Sequence, residues 1–265
     1  MDFFDELTAV IARDGAKRGI RCSASVWQQF LSAVVEVEHQ LPQAAANNIA
    51  AAENWPAEPT AETPTAEITD EYATAGNAGA SLPQDWPGLQ QVVANCCNCP
   101  LGRSRTNVVF GEGNIKARLM FVGEGPGAEE DATGRPFVGP AGQLLDKMIA
   151  AMHLSRDEVY IANIVKCRPP GNRMPGEEEA AACIGYLKKQ IELIQPEVIV
   201  LLGGTALHFL LQIDGITKYR GRWQSYNNIA VMPTFHPAFL LRKAEAKREA
   251  WHDLKLVMAK LGIAV

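Results

Sequence analysis

Nowhere in the 265 residues does an apolar run reach the roughly 18 to 20 needed to cross a bilayer, so no membrane-spanning helix is expected. The opening stretch, MDFFDELTAV, lacks the basic start of a signal peptide, and a cytoplasmic location is expected. Cysteine is scarce: six in this length are too few for a disulfide scaffold, and in a reducing compartment clustered cysteines more often hold metal. Basic residues are in deficit, 25 Lys and Arg against 30 Asp and Glu, for a formal charge of −5. Taken whole, that charge counts against a nucleic-acid partner. What is there, 47% hydrophobic and 21% charged residues, is ordinary globular composition and excludes a collagen-like or wholly disordered chain.

The deficit is local. Residues 42–88 contain no Lys or Arg, but 13 Ala, 6 Pro and 7 acidic side chains. Such a segment buries too little apolar surface to offset its ordering entropy and reads as a disordered linker. Residues 1–41 sum to −2, the linker to −7, and residues 89–265 to +4. The acidity therefore belongs to the first third of the chain, and the C-terminal domain, 89–265, is mildly basic. Residues 1–41 form an arm in which Val26, Phe30, Val34 and Val37 recur at helical spacing behind a Ser25 cap, the pattern of a short docking helix whose partner is not legible. Cys22, alone in this arm, reads as incidental.

From residue 89 onward, apolar β-type runs alternate with helical patterns. The strands are 117–123, 158–167, 197–204 and 228–237. Helices fall at 141–154, 177–194 and 205–211, the first with Gln143, Leu144, Leu145, Met148 and Met152 on its covered side. This alternation predicts an α/β fold: three layers, αβα, around a central, mostly parallel four-stranded sheet. Ligands of such sheets bind beyond the carboxyl ends of the strands, where each motif described next falls.

Cys96 and Cys99 form a Cys-x-x-Cys pair before the first strand, Cys167 ends the second, and Cys183 lies in the following helix. Four thiolates suit either tetrahedral zinc or an iron–sulfur cluster. The two-one-one distribution is unusual for zinc, and the residues alone leave the choice open. The glycine-rich stretch after the first strand, GEGPGAEEDATGRPFVG, lacks the third glycine of a dinucleotide fingerprint, and Pro126 removes an amide that a phosphate cradle would use. Gly123, Gly125 and Gly127 instead permit close approach of a flat ligand, with Glu124 among them. Phe137, on a loop, either plugs the core or stacks on a ring. Asn163 needs a hydrogen-bonding reason for its place in an apolar strand, and its amide has the donors and acceptor to read a pyrimidine edge. His236 is followed by Phe239, Leu240, Leu241 and Arg242, a run suited to meeting a developing anion, wedging between bases and holding phosphate.

Five motifs occur in order: CxxC, GEGPGxEEDxTGRPFVGxAGQLL, NIVKCRPPxNR, the helix cysteine and HPAFLLR. Through them residues 89–260 resemble family 4 uracil-DNA glycosylases, the iron–sulfur branch of the uracil-DNA glycosylase superfamily. The resemblance implies a structural [4Fe–4S] cluster on Cys96, Cys99, Cys167 and Cys183. It implies a uracil pocket lined by Gly123, Glu124 and Gly125, with Phe137 stacked on the base, Asn163 on its polar edge and His236 facing the leaving uracil. Arg168 and Arg173, in the RPPGNR segment, would lie on the DNA-facing surface. Glu124, Asn163 and His236 are the expected catalytic residues, although Glu130 and Asp131 have a similar claim to the attacking water. Leu240 or Leu241 would fill the vacated stack and Arg242 would hold phosphate. The expected partner is uracil-containing DNA, single- or double-stranded, bound by a monomer. The segment after Cys167 has no inserted basic loop or histidine of the kind that traps DNA covalently in one subgroup, so turnover is expected. The competing readings are a catalytically silent iron–sulfur DNA-binding module and, more distantly, a zinc-stabilised hydrolase of free nucleosides.

Overall fold

The computed structural model describes residues 82–264. The expected arm (1–41), Cys22 and nearly all of the expected linker lie outside the described residues. The last stretch assigned to that linker belongs to the folded domain, which begins before residue 89. Helix α1 spans Trp86–Ala94, capped by Asp85, whose carboxylate accepts from the Gly88 amide at 2.7 Å. Trp86 packs edge-on against Phe110 and Tyr160, with centroids 5.3 Å from each. Composition hid this start, because the aromatic anchor and the aspartate cap are single residues at the end of an Ala/Pro-rich run.

The sheet has six strands: β1 (Glu112–Gly113), β2 (Leu119–Gly123), β3 (Tyr160–Asn163), β4 (Val198–Leu202), β5 (Gln224–Tyr226) and β6 (Ile229–Thr234). Their order is β1-β3-β2-β4-β6-β5. The four central strands are the expected ones and run parallel, while β1 and β5 add antiparallel edges. Both edges are too short to show a period. β3 is shorter than its apolar run, ending at Asn163, so Cys167 lies four residues beyond the strand.

Side chains alternate between two cores. Met120, Val122, Tyr160, Ile199 and Leu201 face a layer that includes α1, α5 (Glu177–Ile194) and α6 (Gly204–Leu211). Leu119, Phe121, Ile161, Val200 and Leu202 face α4 (Pro140–Ala151), α8 (Pro237–Arg242) and α9 (Lys247–Leu261). The short helices α2 (Leu101–Ser104), α3 (Ala128–Thr133) and α7 (Ile216–Tyr219) sit in connections. On α4 the buried side is Leu145, Met148, Ile149 and Met152, and Gln143 is exposed. Its amide would have been costly to bury, and Ile149, an equally good fit to the period, takes the core. Among the described residues, no helix is long and apolar enough to cross a membrane.

This register sets up everything beyond it. Gly123 pairs with Asn163 and Leu202 with Thr234, so the parallel strands end side by side and release Glu124, the Gly203–Thr205 turn and His236 at one edge.

Candidate active site

A cleft of about 590 Å³ opens at the carboxyl ends of the strands, within the range usual for small-molecule sites. Glu124, Gly125, Phe137, Asn163, Arg173, His236 and Arg242 all line it. Asn163 is 2% exposed, and its Oδ1 is a buried acceptor without a hydrogen-bond partner among the described residues. A buried, unsatisfied acceptor costs about 1–3 kcal/mol, so an unpartnered oxygen at a cleft wall marks where a donor is meant to arrive. The Asn163 main chain is fixed from behind: Lys166, fully buried, donates from Nζ to the Asn163 carbonyl (3.0 Å) and to Gln190 Oε1 (2.6 Å). Burial pulls the Lys166 ammonium down to about 8.

Phe137 lies across the asparagine. A Cβ on Gly123 would come within 2.5 Å of the Phe137 ring and 2.6 Å of Asn163 Oδ1, so only glycine leaves room for both. Phe137 itself has φ +52°, a left-handed backbone unusual for an aromatic residue. Two features hold it there. Gly142 passes so close that a Cβ would meet the Phe137 carbonyl at 2.0 Å. Arg156 donates to the carbonyls of Pro136 and Phe137, and its guanidinium is shared with Glu112 and Asp146. Arg135 and Arg156 together hold the Glu112 carboxyl down at about 2.

His236 caps α8: its Nδ1 accepts from the Ala238 amide at 3.1 Å. That bond fixes the tautomer, leaving the proton on Nε2. Burial, with the nearby Arg242 charge, lowers its pKa to about 4, so the ring is neutral and a hydrogen-bond donor at ordinary pH. The ring stands 5.7 Å from Phe137, tilted by 31°.

The three candidate carboxylates have different surroundings. Glu130 accepts from the amides of Gly127, Val138 and Gly139, and Asp131 is buried with Oδ1 on the amides of Thr106 and Asn107. Both are occupied in holding loops. Glu124 lines the cleft and receives one hydrogen bond, from Thr205 Oγ1 at 2.5 Å.

The two leucines of HPAFLLR separate. Leu240 is 1% exposed and packs in the core, which excludes it as a wedge, whereas Leu241 is 48% exposed. Helical geometry turns consecutive side chains about 100° apart, so only one of the pair can face the core. Arg242 is exposed at the rim. Arg173 lies on the cleft wall, but its guanidinium is engaged by both oxygens of Glu179 (2.7 and 2.8 Å) and by the Met174 carbonyl. Arg168 donates from Nε to Asn172 Oδ1 at 2.7 Å. Both thus brace the loop in which they lie.

Behind this wall Cys96, Cys99, Cys167 and Cys183 line a second, small cavity. Three of the four sulfurs accept a hydrogen bond: Cys96 from Tyr186 Oη (3.2 Å), Cys167 from Arg105 (3.1 Å) and Cys183 from the Lys166 amide (3.3 Å). Burial pushes the Cys183 thiol up to about 12, a cost of ionisation that a bound metal would reverse. Cys97 is exposed and faces elsewhere. Among the described residues, no three His, Cys, Asp or Glu side chains converge as a site for a metal ion. The thiols ring a cavity and do not meet at a point.

Sequence reasoning missed Thr205, Arg156, Arg105 and Lys166. Thr205 had a signal, its place just past the carboxyl end of a parallel strand. Arg156 had none, since it reaches its loop across some twenty residues of chain.

The family model for the uracil DNA glycosylase superfamily matches residues 110–255. A type-4 uracil-DNA glycosylase of Thermotoga maritima is 52% identical over 176 residues, covering 63% of this chain and 90% of that protein. Those of Sulfurisphaera tokodaii and Saccharolobus solfataricus are 45% and 43% identical over 179 residues, covering 64% of this chain and 81% and 83% of theirs.

Proposed function

The chain belongs to the uracil-DNA glycosylase superfamily, and on that premise we propose that its cleft receives a uracil flipped out of DNA and hydrolyses the N-glycosidic bond, leaving an abasic site. The observation that carries this reading is the unpartnered Asn163 Oδ1 in a cleft that Phe137 also lines. Uracil offers that oxygen its N3–H and offers the Asn163 amide group its O4. Cytosine has an acceptor and an amino group in those places, so both contacts fail, at roughly 1 to 3 kcal/mol for each polar group left unpaired. Phe137 supplies the stacking face.

Extrusion costs a few kcal/mol of stacking. Leu241, exposed and next to the cleft-lining Arg242, would enter the vacated stack, and Arg242 would hold phosphate. Bond cleavage then builds negative charge on uracil O2 and cationic character on the sugar. A neutral His236 donating from Nε2 stabilises the first without having to lose a proton. Glu124 faces the second and orients the attacking water. Glu130 and Asp131 are withdrawn from that role by their amide partners. A non-catalytic DNA-binding module, the other reading, gives no reason to desolvate a histidine beside an orphaned amide oxygen.

The four cysteines that line one cavity are, in kind and number, the ligand set of an iron–sulfur cluster. The two-one-one distribution of the four cysteines along the chain suits an iron–sulfur cluster better than zinc, which usually takes two closely spaced pairs. The hydrogen bonds from Arg105 to Cys167 and from the Lys166 amide to Cys183 favour the thiolate against the burial that raises both thiols. Bound there by Cys96, Cys99, Cys167 and Cys183, a [4Fe–4S] cluster would cross-link three segments of chain, a structural role. The DNA substrate is expected to meet a monomer.

Incubation with a uracil-containing oligonucleotide, followed by alkali, is the test. Shortened product from wild type and at least a hundredfold less from Asn163→Ala, with DNA binding retained, is expected. Intact oligonucleotide from the wild type would return the protein to the binding-module reading.

A further inference from the structure

The junction of β4 and α6, the Gly203 cap and the first helical residues Gly204 and Thr205, has no part in the assignments above, yet it touches two of the proposed catalytic side chains, Glu124 and His236. Thr205 Oγ1 donates to Glu124 Oε2 at 2.5 Å, the length of a hydrogen bond to an ionised carboxylate. Gly203, at φ +93°, lies so close to His236 that an added Cβ would stand 3.0 Å from the histidine Cβ. The Gly203 amide donates to the Thr234 carbonyl at 2.9 Å, tying the turn to the end of the strand that carries His236. One turn is therefore anchored to the histidine side of the cleft and reaches the glutamate side through a hydroxyl.

The geometry points to Thr205 as the positioning residue for Glu124, an inference that rests on the role proposed for Glu124 above. A glutamate has three rotatable side-chain bonds, and among the described residues the hydrogen bond that Glu124 receives at its carboxylate is that of Thr205. Thr205 is β-branched and stands in the first turn of a helix, so its hydroxyl is held in few orientations. The helix start also favours a negative charge beside it. With Oε2 held by the hydroxyl, Oε1 is the oxygen that orients the water. Glu130 has the same need for a fixed geometry and meets it with three amides, whereas Glu124 meets it with one side chain from a distant segment.

Single-turnover excision of uracil from an oligonucleotide tests this in Thr205→Val, Thr205→Ser, Glu124→Gln and the Val/Gln double variant. Thr205→Val is expected to slow the step at least roughly tenfold, the loss of a hydrogen bond to a charged group, with oligonucleotide affinity and melting temperature unchanged. Thr205→Ser should recover most of the rate, because it restores the hydroxyl. In the Glu124→Gln background the valine should cause no further loss. A full rate in Thr205→Val beside a slow Glu124→Gln overturns the inference, as does an equal additional loss in the double variant. A full rate in Glu124→Gln instead overturns the role of Glu124 itself. Thr205→Ala, run in parallel, keeps the test intact if valine mispacks.

Discussion

His236 is held neutral by two independent means, the Ala238 amide on Nδ1 and the desolvation of the ring. This has a consequence for stability that catalysis would not reveal. The ring titrates near 6.5 when the chain is unfolded and near 4 in the fold. Between those values the unfolded state takes up a proton that the folded state refuses, so this group lowers stability progressively as pH falls through that window and has no effect above it. Thermal unfolding of the wild type should lose midpoint between about pH 6.5 and 4 more steeply than His236→Asn. Parallel curves would mean that the ring is solvated. The asparagine variant should also excise uracil at least roughly tenfold more slowly at neutral pH, where the proton balance is idle, as expected for loss of an oxyanion donor.

Among the elements, α8 is the clearest case of one short helix with two roles. Its inner face buries Leu240 in the core, and its outer face presents Leu241 and Arg242 to the rim. Leu240→Ala should cost about 2–5 kcal/mol of stability, in keeping with a fully buried leucine. Leu241→Ala should leave the melting temperature alone and slow excision from duplex DNA more than from single strands, since only a duplex leaves a stack to fill. Equal slowing on both substrates would remove Leu241 as the wedge. The sequence could name the pair but not choose between them, because a six-residue helix shows too little period. The longer elements were legible: α5 begins and ends where its pattern does, at Glu177 and Ile194, and the four parallel strands are the four apolar runs. The edges β1 and β5, two and three residues long, were not. Phe137 was ambiguous for a physical reason. It is buried like a core residue and yet walls the cleft, so the two alternatives offered by its sequence context are both partly realised.

At the scale of the molecule, the cysteine cavity and the cleft are joined by one segment, residues 163–167. Asn163 faces the cleft, Cys167 the cavity, and Lys166 binds the Asn163 carbonyl from within. Anaerobically purified protein should carry about four iron per chain with visible absorbance, and Cys183→Ser should lower both iron content and melting temperature. Stoichiometric zinc without colour would exclude the cluster. The charge distribution belongs to this scale as well. A whole-chain −5 conceals a +4 in residues 89–265, where every motif lies. What no pattern could reveal were the contacts made at a distance, Arg156 to the Phe137 loop and Thr205 to Glu124, because each joins segments that only the fold brings together.

The orphaned oxygen of Asn163 also bears on what happens after cleavage. Asn163 Oδ1 is a buried acceptor at the cleft, and whatever brings an N–H to it satisfies it. Free uracil carries the same N3–H after its bond to the sugar is gone. On the function proposed above, the feature that recognises the substrate base therefore holds the product base too. On that same proposed function, selectivity and retention of the product base share one atom, and a change that weakens the one weakens the other.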